Sequence, residues 1–307
     1  PICFLVEIGK KQAQLCQTVF AKNQYYIGKK YKVVTKIYKE NNEYYAIKIP
    51  LSKEAKNHLE EFYNDSLQMK STQHFNYIHY TLETDGSLKM PFIKGKSLSK
   101  VLSNCLYEYL NNTSQTKEIL YSNLKNELTQ LYDSMKADAV LCTPDNIFNE
   151  EFKKYYGDKQ IDQSLLCFET STLDLHLDHI YKKSNGTYNV IDLDPIALFN
   201  VPIDYLMWSV IESWIYTYVK NNKSAEKVIS TKQICELIGL NTSFIEIFNM
   251  WKGNHFSDNN TKSQLVPFYS KEYLPKFVDY SCLKDAGILK NSNDRRTEYK
   301  NNDCYFE

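Results

Sequence analysis

Leu173-Asp174-Leu175-His176-Leu177-Asp178-His179-Ile180 and, a little further on, Asn189-Val190-Ile191-Asp192-Leu193-Asp194 are the stretches whose reading decides the fold. Each sets carboxylates beside leucine or β-branched residues. Between them lies Tyr181-Lys182-Lys183-Ser184-Asn185-Gly186-Thr187-Tyr188, and its Ser-Asn-Gly is a hairpin turn signal. The pattern predicts loop, strand, tight turn, strand, loop. It places Asp174 and Asp192 at the two ends of one hairpin, close in space. Two acidic side chains gathered in this way suit phosphoryl transfer: one orients the attacking hydroxyl and the other holds Mg²⁺ against the nucleotide phosphates. An exposed hairpin that merely ends in acidic residues carries the same local pattern, so the rest of the chain has to be read beside it.

Asp192 follows Asp174 by 18 residues. That is the separation between the catalytic-loop Asp and the metal-binding Asp of eukaryotic-type kinases, where an Asn five residues after the catalytic Asp binds a second metal. Here that position is His179. Asp174, His179 at +5, a hydrophobic pair and then Val190-Ile191-Asp192-Leu193 resemble the bacterial lipopolysaccharide core sugar kinases. The segment is also similar to the aminoglycoside and choline phosphotransferases, whose loop reads Asp-Leu-His and whose metal Asp follows Ile. Pro202-Ile203-Asp204-Tyr205-Leu206-Met207-Trp208 resembles their Asp-containing helix start, and the resemblance implies that Asp204 braces the catalytic loop.

The N-terminal part offers the partner lobe. From Lys30 to Lys39 the chain alternates with period two, so Tyr31, Val33, Thr35 and Ile37 share a face. A turn at Lys39-Glu40-Asn41-Asn42-Glu43 precedes a second strand, Tyr44-Tyr45-Ala46-Ile47-Lys48-Ile49. Ala46-Ile47-Lys48 resembles the strand motif that carries the phosphate-binding Lys of kinases. An edge-strand lysine is the plain alternative for Lys48. Ser52 to Lys70 reads as a helix with Ser52 as N-cap and with Ala55, Leu59, Phe62 and Leu67 compatible with one buried stripe. The resemblance asks this helix for a Glu to brace Lys48. Glu60 and Glu61 both qualify, and Glu60 is favoured because Tyr63 and Leu67 share its face.

Tyr77 to Leu82 and Leu88 to Ile93 read as a second hairpin around Glu83-Thr84-Asp85-Gly86. Met90-Pro91-Phe92-Ile93-Lys94-Gly95-Lys96-Ser97-Leu98 resembles the hinge between kinase lobes, with adenine expected against the backbone of Met90, Phe92 and Ile93. Pro91 removes one donor there. The phosphate-covering loop, glycine-rich in kinases, has only Gly28 here, enough for one tight turn but not a full nest of amides. Ala139-Val140-Leu141-Cys142-Thr143-Pro144-Asp145-Asn146-Ile147-Phe148 also looks like a catalytic loop, but Leu141 stands at its catalytic Asp position. If that were the working loop, the chain would be a pseudokinase.

Lys117 to Ala137 reads as a long helix carrying Leu120, Leu124, Leu128 and Leu131. The stretch from Asp138 to Thr172 is longer than the usual approach to a catalytic loop and reads as a substrate-shaping insertion. Ile203 to Lys220 is an apolar helix whose Trp208 and Trp214 read as core, with shorter helices at Thr231 to Leu240 and Ser243 to Trp251 and a polar tail from Asn291 to Asp303. Lys+Arg and Asp+Glu are each 37, which gives no nucleic-acid bias, and Arg295 and Arg296 are the only arginines, so phosphate recognition falls to lysine, backbone amides or metal. The eight cysteines contain no C-x-x-C pair and read as reduced thiols without a zinc site. No segment has the length of a membrane span and the first residues are too short an apolar run for a signal peptide, so a cytoplasmic protein is expected, with contact at an inner membrane face left open for a lipid-linked acceptor.

Together these readings imply a two-lobed, kinase-like α+β fold. Residues 1–93 form an N-lobe of antiparallel sheet and one helix, and residues 94–307 form a mainly helical C-lobe. The resemblance implies ATP and Mg²⁺ as cofactors and a hydroxyl on a sugar, glycolipid or other small molecule as acceptor. Asp174 is the base, Asp192 and His179 lie at the metal, and Lys48, Glu60, Gly28 and the hinge bind nucleotide. A pseudokinase-type interaction module and a protein Ser/Thr/Tyr kinase are the alternatives. Oligomeric state is not legible.

Overall fold

The computed structural model describes residues 17–23, 33–112, 114–173, 175–220, 222–258 and 277–278, so Gly28, Asp174 and the polar tail lie outside the described residues. The fold is α+β, and its contacts divide the chain into two compact units. The first draws its described residues from Pro1–Tyr63, Tyr80–Gly95 and Ser263–Glu307, the second from Asn64–His79 and Lys96–Lys262.

The first unit is built on strands β1 (Gln17–Asn23), β2 (Val33–Glu40) and β3 (Glu43–Pro50), followed by helix α1 (Lys53–Ser66). With β5 (Thr81–Leu82), β6 (Leu88–Pro91) and β14 (Phe277–Val278) the strands make one antiparallel sheet, ordered β14-β1-β2-β3-β6-β5. The β2–β3 turn puts Asn41 and Asn42 at φ 49° and 64°, the left-handed pair that matches strand twist and that Asn tolerates. Register then runs unbroken from Glu40↔Glu43 to Val33↔Pro50. Ser52 Oγ accepts the Ala55 N–H at 3.0 Å and so caps α1. Ala55, Leu59 and Phe62 form its buried stripe, but the helix ends at Ser66 and Leu67 is exposed, which corrects the expected stripe.

The second unit begins with β4 (Phe75–Tyr77), then α2 (Leu98–Asn111) and α3 (Lys117–Asp138). Strand β7 (Val140–Cys142), α4 (Pro144–Ile147), α5 (Glu150–Tyr156), β8 (Leu165–Phe168) and β9 (Ser171–Thr172) follow. Next come β10 (Ile180–Lys182), β11 (Tyr188–Val190), β12 (Ile196–Ala197) and β13 (Val201–Pro202). Helices α6 (Ile203–Trp214), α7 (Lys223–Glu226), α8 (Thr231–Leu237) and α9 (Ile245–Asp258) complete it. Ser97 opens α2 as its N-cap, accepting the Lys100 N–H. Leu120, Leu124, Leu128 and Leu131 of α3 are buried, as their spacing predicts, and so are Trp208 and Trp214. Trp214 Nε1–H donates to Ser103 Oγ at 3.0 Å, tying α6 to α2. The 138–172 stretch is core rather than an appendage. Its α5 supplies Phe152 and Tyr156 to an aromatic cluster in which Phe152 meets Trp251 edge-on at 5.1 Å and Tyr156 meets Tyr205 at 5.1 Å.

One expected pairing is corrected. Tyr77 does not belong to a hairpin with Leu88 to Ile93; it lies in β4, which pairs parallel with β11 through Phe75↔Tyr188 and Tyr77↔Val190. Asp138, the last residue of α3, secures the approach to β4. Its buried carboxylate accepts from His74 Nδ1 at 2.8 Å, from the His74 amide at 2.9 Å and from the Thr72 hydroxyl. Burial works to raise the Asp138 pKa, but those hydrogen bonds outweigh it and hold the group below the ordinary carboxylate value.

Candidate active site

The decisive hairpin forms. Strand β10 pairs antiparallel with β11 from Ile180↔Val190 to Lys182↔Tyr188. Gly186 takes φ 85° in the turn, where Asn185 Oδ1 accepts the Thr187 amide and hydroxyl. Lys182 Nζ bonds Glu127 Oε2 at 2.8 Å and pins the hairpin to α3. At the open end the Ile191 N–H donates to the His179 carbonyl at 3.0 Å, one step beyond the last paired residues. This bond sets His179 and Asp192 side by side. His179 Nε2 stands 3.8 Å from Asp192 Oδ2, while His179 Nδ1 is buried with no hydrogen-bond partner among the described residues.

Asp192 has φ 54°. A left-handed backbone at a non-glycine residue is uncommon and costly, and such conformations concentrate at functional sites. Just before the hairpin, His176 leads into a 3-10 turn over Leu177–His179, and the His176 and His179 rings meet edge-on at 5.6 Å. Leu173, immediately before Asp174, donates its N–H to the Pro195 carbonyl at 2.8 Å. Asp174 itself lies outside the described residues.

Sequence reasoning missed a contact on this rim. After Trp214 the helix widens into a π turn over Ile215–Val219, which carries the Tyr218 hydroxyl to the Asp178 carboxylate at 3.1 and 3.3 Å. Local widenings of this kind are frequent at functional sites but have no reliable sequence signal. Asp204, expected as a loop brace, accepts a hydrogen bond from the Tyr132 hydroxyl of α3. Burial first, and the Asp204 carboxylate second, raise the Tyr132 pKa above the ordinary phenol range.

In the first unit, Lys48 shares the β3 face of the buried Tyr44 and Ala46. Its Nζ lies 6.0 Å from the Phe62 ring centroid and 5.8 Å from that of Tyr80. Glu60, expected to brace Lys48, is half-exposed and lies 3.9 Å from Lys56 on its own helix. The inward polar residue of α1 is instead His58, 8 % exposed, one turn before Phe62. Its position on the Ala55-Leu59-Phe62 stripe was the signal available in the sequence.

In the segment expected to be the hinge, Met90 is buried and pairs with Ala46, and the Phe92 N–H donates to the Tyr44 carbonyl at 2.9 Å. Pro91 has no N–H. The Phe92 donor is therefore engaged within the sheet, and the Ile93 N–H has no backbone acceptor among the described residues. Gly28, expected over the phosphates, lies outside the described residues.

Mg²⁺ takes oxygen ligands, keeps several waters, and is usually held by one or two carboxylates together with substrate phosphates. The 38 %-exposed carboxylate of Asp192 fits that demand. Among the described residues no group of three His, Cys, Asp or Glu side chains is disposed to hold a metal, so they build no all-protein cage.

No family model and no curated protein matches the chain. Solved structures similar to it include two phosphotransferases. A macrolide 2'-phosphotransferase type I aligns at TM-score 0.37 and 10% identity, covering 83% of this chain and 88% of that one. The apoenzyme of macrolide 2'-phosphotransferase MphH from Brachybacterium faecium aligns at TM-score 0.34 and 10% identity, covering 76% and 81%.

Proposed function

We propose that this chain transfers the γ-phosphoryl group of ATP to a hydroxyl of a small molecule, with sugars and glycolipids as the leading acceptor class. The observation that carries this reading is the open end of the β10–β11 hairpin, where a left-handed Asp192 stands 3.8 Å from His179. In this reading Asp174 orients the acceptor hydroxyl, Asp192 holds Mg²⁺, His179 steadies the Asp192 carboxylate, and Lys48 anchors the α- and β-phosphates. Bound Mg²⁺ supplies charge neutralisation on the phosphates. The Ile93 N–H meets the adenine edge.

A small acceptor is favoured over a protein substrate by the segment after Asp192. Within ten residues of it, Ile196–Ala197 pairs with β9 and Val201–Pro202 pairs with β8. That leaves little chain to shape a peptide platform. No helix of the described residues is long and apolar enough to cross a membrane.

A second reading, a nucleotide-free interaction module, draws on the Glu60–Lys56 pair and the engaged Phe92 amide. One experiment separates the two. Purified protein is titrated with ATP and Mg²⁺ in a thermal-shift assay, then given γ-labelled ATP with a panel of sugars, lipopolysaccharide cores and aminoglycosides. Stabilisation by Mg·ATP, with label transferred to one acceptor class by the wild type and not by Asp192→Asn, is the expected result. No stabilisation and no transfer would leave the interaction module as the better reading.

A further inference from the structure

We infer that the second unit carries a binding site for a free α-amino acid whose side chain ends in a hydroxyl or a carboxamide. The site is a cavity of about 270 Å³ between the 68–72 loop, β4, the end of α3 and the strands β7 and β8. Its lining shares no residue with the candidate active site. The volume falls just under the roughly 300–1,000 Å³ usual for drug-sized ligands, so the occupant is a small metabolite.

Two buried groups set the chemistry of its floor. Tyr77 is 6 % exposed, yet its hydroxyl has no hydrogen-bond partner among the described residues. A buried hydroxyl left unpaired is costly, and native structures nearly always supply a partner. Burial first, and the Asp138 charge second, hold the Tyr77 pKa above the ordinary phenol range, so the group stays a donor. Asp138 lines the same cavity with a side chain 3 % exposed. A carboxylate has about four lone-pair sites, and bonds from Thr72 and His74 take three of them. The floor therefore offers one donor and one acceptor site. A hydroxyl or a primary amide satisfies both at once. A carboxylate meets the Asp138 charge, an ammonium has no lone pair for Tyr77, and a methyl group serves neither.

The rim supplies both signs of charge. Lys70 and Glu169 line the cavity, both are exposed, and neither makes an ion pair or hydrogen bond among the described residues. A zwitterion engages the two together, its carboxylate toward Lys70 and its ammonium toward Glu169. The wall is fixed beforehand. The Thr72 N–H donates to the Phe75 carbonyl at 2.8 Å, and Ser71 Oγ accepts the Tyr77 N–H at 3.2 Å. A wall already ordered lowers the entropic cost of binding.

The test is isothermal titration of the full chain with L-glutamine, L-asparagine, L-serine and L-threonine, beside L-leucine, L-glutamate, glucose and the decarboxylated and deaminated analogues of glutamine. At least one of the first four is expected to bind, with leucine and glutamate about tenfold weaker or more. Tyr77→Phe should weaken the best ligand about two- to tenfold and keep or raise the melting temperature, because the hydroxyl has no protein partner to lose. Lys70→Gln should weaken the amino acid but not its decarboxylated analogue, and Glu169→Gln the amino acid but not its deaminated analogue. Binding by none of the four overturns the proposal. So does glucose that binds as well as the best amino acid and ignores both rim substitutions, which makes the cavity a sugar site. Unchanged affinity in a folded Tyr77→Phe variant overturns it as well. If that variant fails to fold, the rim variants with their matched analogues decide, and insensitivity to both overturns the site. No arm uses ATP, so the result is independent of phosphoryl transfer.

Discussion

Asp192→Gly separates the backbone of the candidate site from its chemistry. At φ 54° an L-residue bears a left-handed penalty of about 1–2 kcal/mol, with Asp toward the lower end because its side chain can bond locally. Glycine removes that penalty but gives up about 0.5–1 kcal/mol of extra unfolded-state entropy. Losing the part-exposed contact with His179, 3.8 Å away, subtracts no more than about 1 kcal/mol. The net change stays within about 1 kcal/mol of zero, and the melting temperature within about 4 °C of wild type. Asp192→Val, also without a carboxylate, forces a β-branched side chain into the same conformation and should fall about 2 kcal/mol or more below the glycine variant. Both variants should lose Mg²⁺-dependent transfer by about 10²-fold or more. Thermal melts beside label-transfer rates read the two effects separately. If Asp192→Gly melts far below wild type, or keeps its Mg²⁺-dependent turnover, the assignment of strain and function to this residue is wrong.

Three further outcomes follow from local geometry. Asp138→Asn should cost about 2–3 kcal/mol in urea melts at neutral pH, because three donors converge on a buried carboxylate. The folded-state pKa of Asp138 is depressed, so its contribution is complete above the ordinary value of 3.8 and fades as pH falls below it; the gap between variant and wild type should narrow there and not at alkaline pH. Trp214→Phe breaks the bond to Ser103 and leaves a gap in the core, for about 1–3 kcal/mol, and a double-mutant cycle with Ser103→Ala should show strong non-additivity. Gly86→Ala meets both φ 88° and the Lys56 side chain, 2.7 Å from the new Cβ; the expected loss of about 1–2 kcal/mol should survive in a Lys56→Ala background, where only the clash is relieved.

What the sequence disclosed was what short-range chemistry encodes. Asn41-Asn42 and Gly186 name their turns because few other residues accept those backbone angles. Ser52 and Ser97 announce α1 and α2 because their hydroxyls satisfy first-turn amides. The parallel pairing of β4 with β11 was hidden, since Phe75 and Tyr188 are joined through most of a unit and no local pattern marks such a partner. Glu60 was favoured over Glu61 for a reason that the helix boundary removes. Its supposed face included Leu67, yet α1 stops at Ser66 and Leu67 turns to solvent, so the stripe that faces the sheet runs through His58 and Phe62. The π turn that delivers Tyr218 to Asp178 depends on the packing of α6, which composition does not reveal.

The departures from a full kinase-like set bear on how a nucleotide would be held. Pro91 donates nothing, the Phe92 amide is engaged by Tyr44, and in the proposed reading the base is left with the Ile93 N–H as its first donor. A single neutral hydrogen bond contributes about 0.5–1.5 kcal/mol, a factor of roughly two to ten in affinity. In the proposed reading the phosphates would be met by Lys48 and, through Asp192, by a metal ion; hydrogen bonds to charged groups contribute about 1.5–3 kcal/mol each. Affinity should therefore follow phosphate and metal rather than base. Mg·ATP is expected to bind at least about 10²-fold more tightly than adenosine, with ADP between them, and EDTA should remove most of the advantage. Raising the salt should weaken Mg·ATP and leave adenosine nearly unchanged, because only the former is held by charge. Isothermal titration of the three ligands, with and without metal, tests this directly. Adenosine binding within about threefold of Mg·ATP would mean that the hinge supplies donors the backbone geometry does not offer.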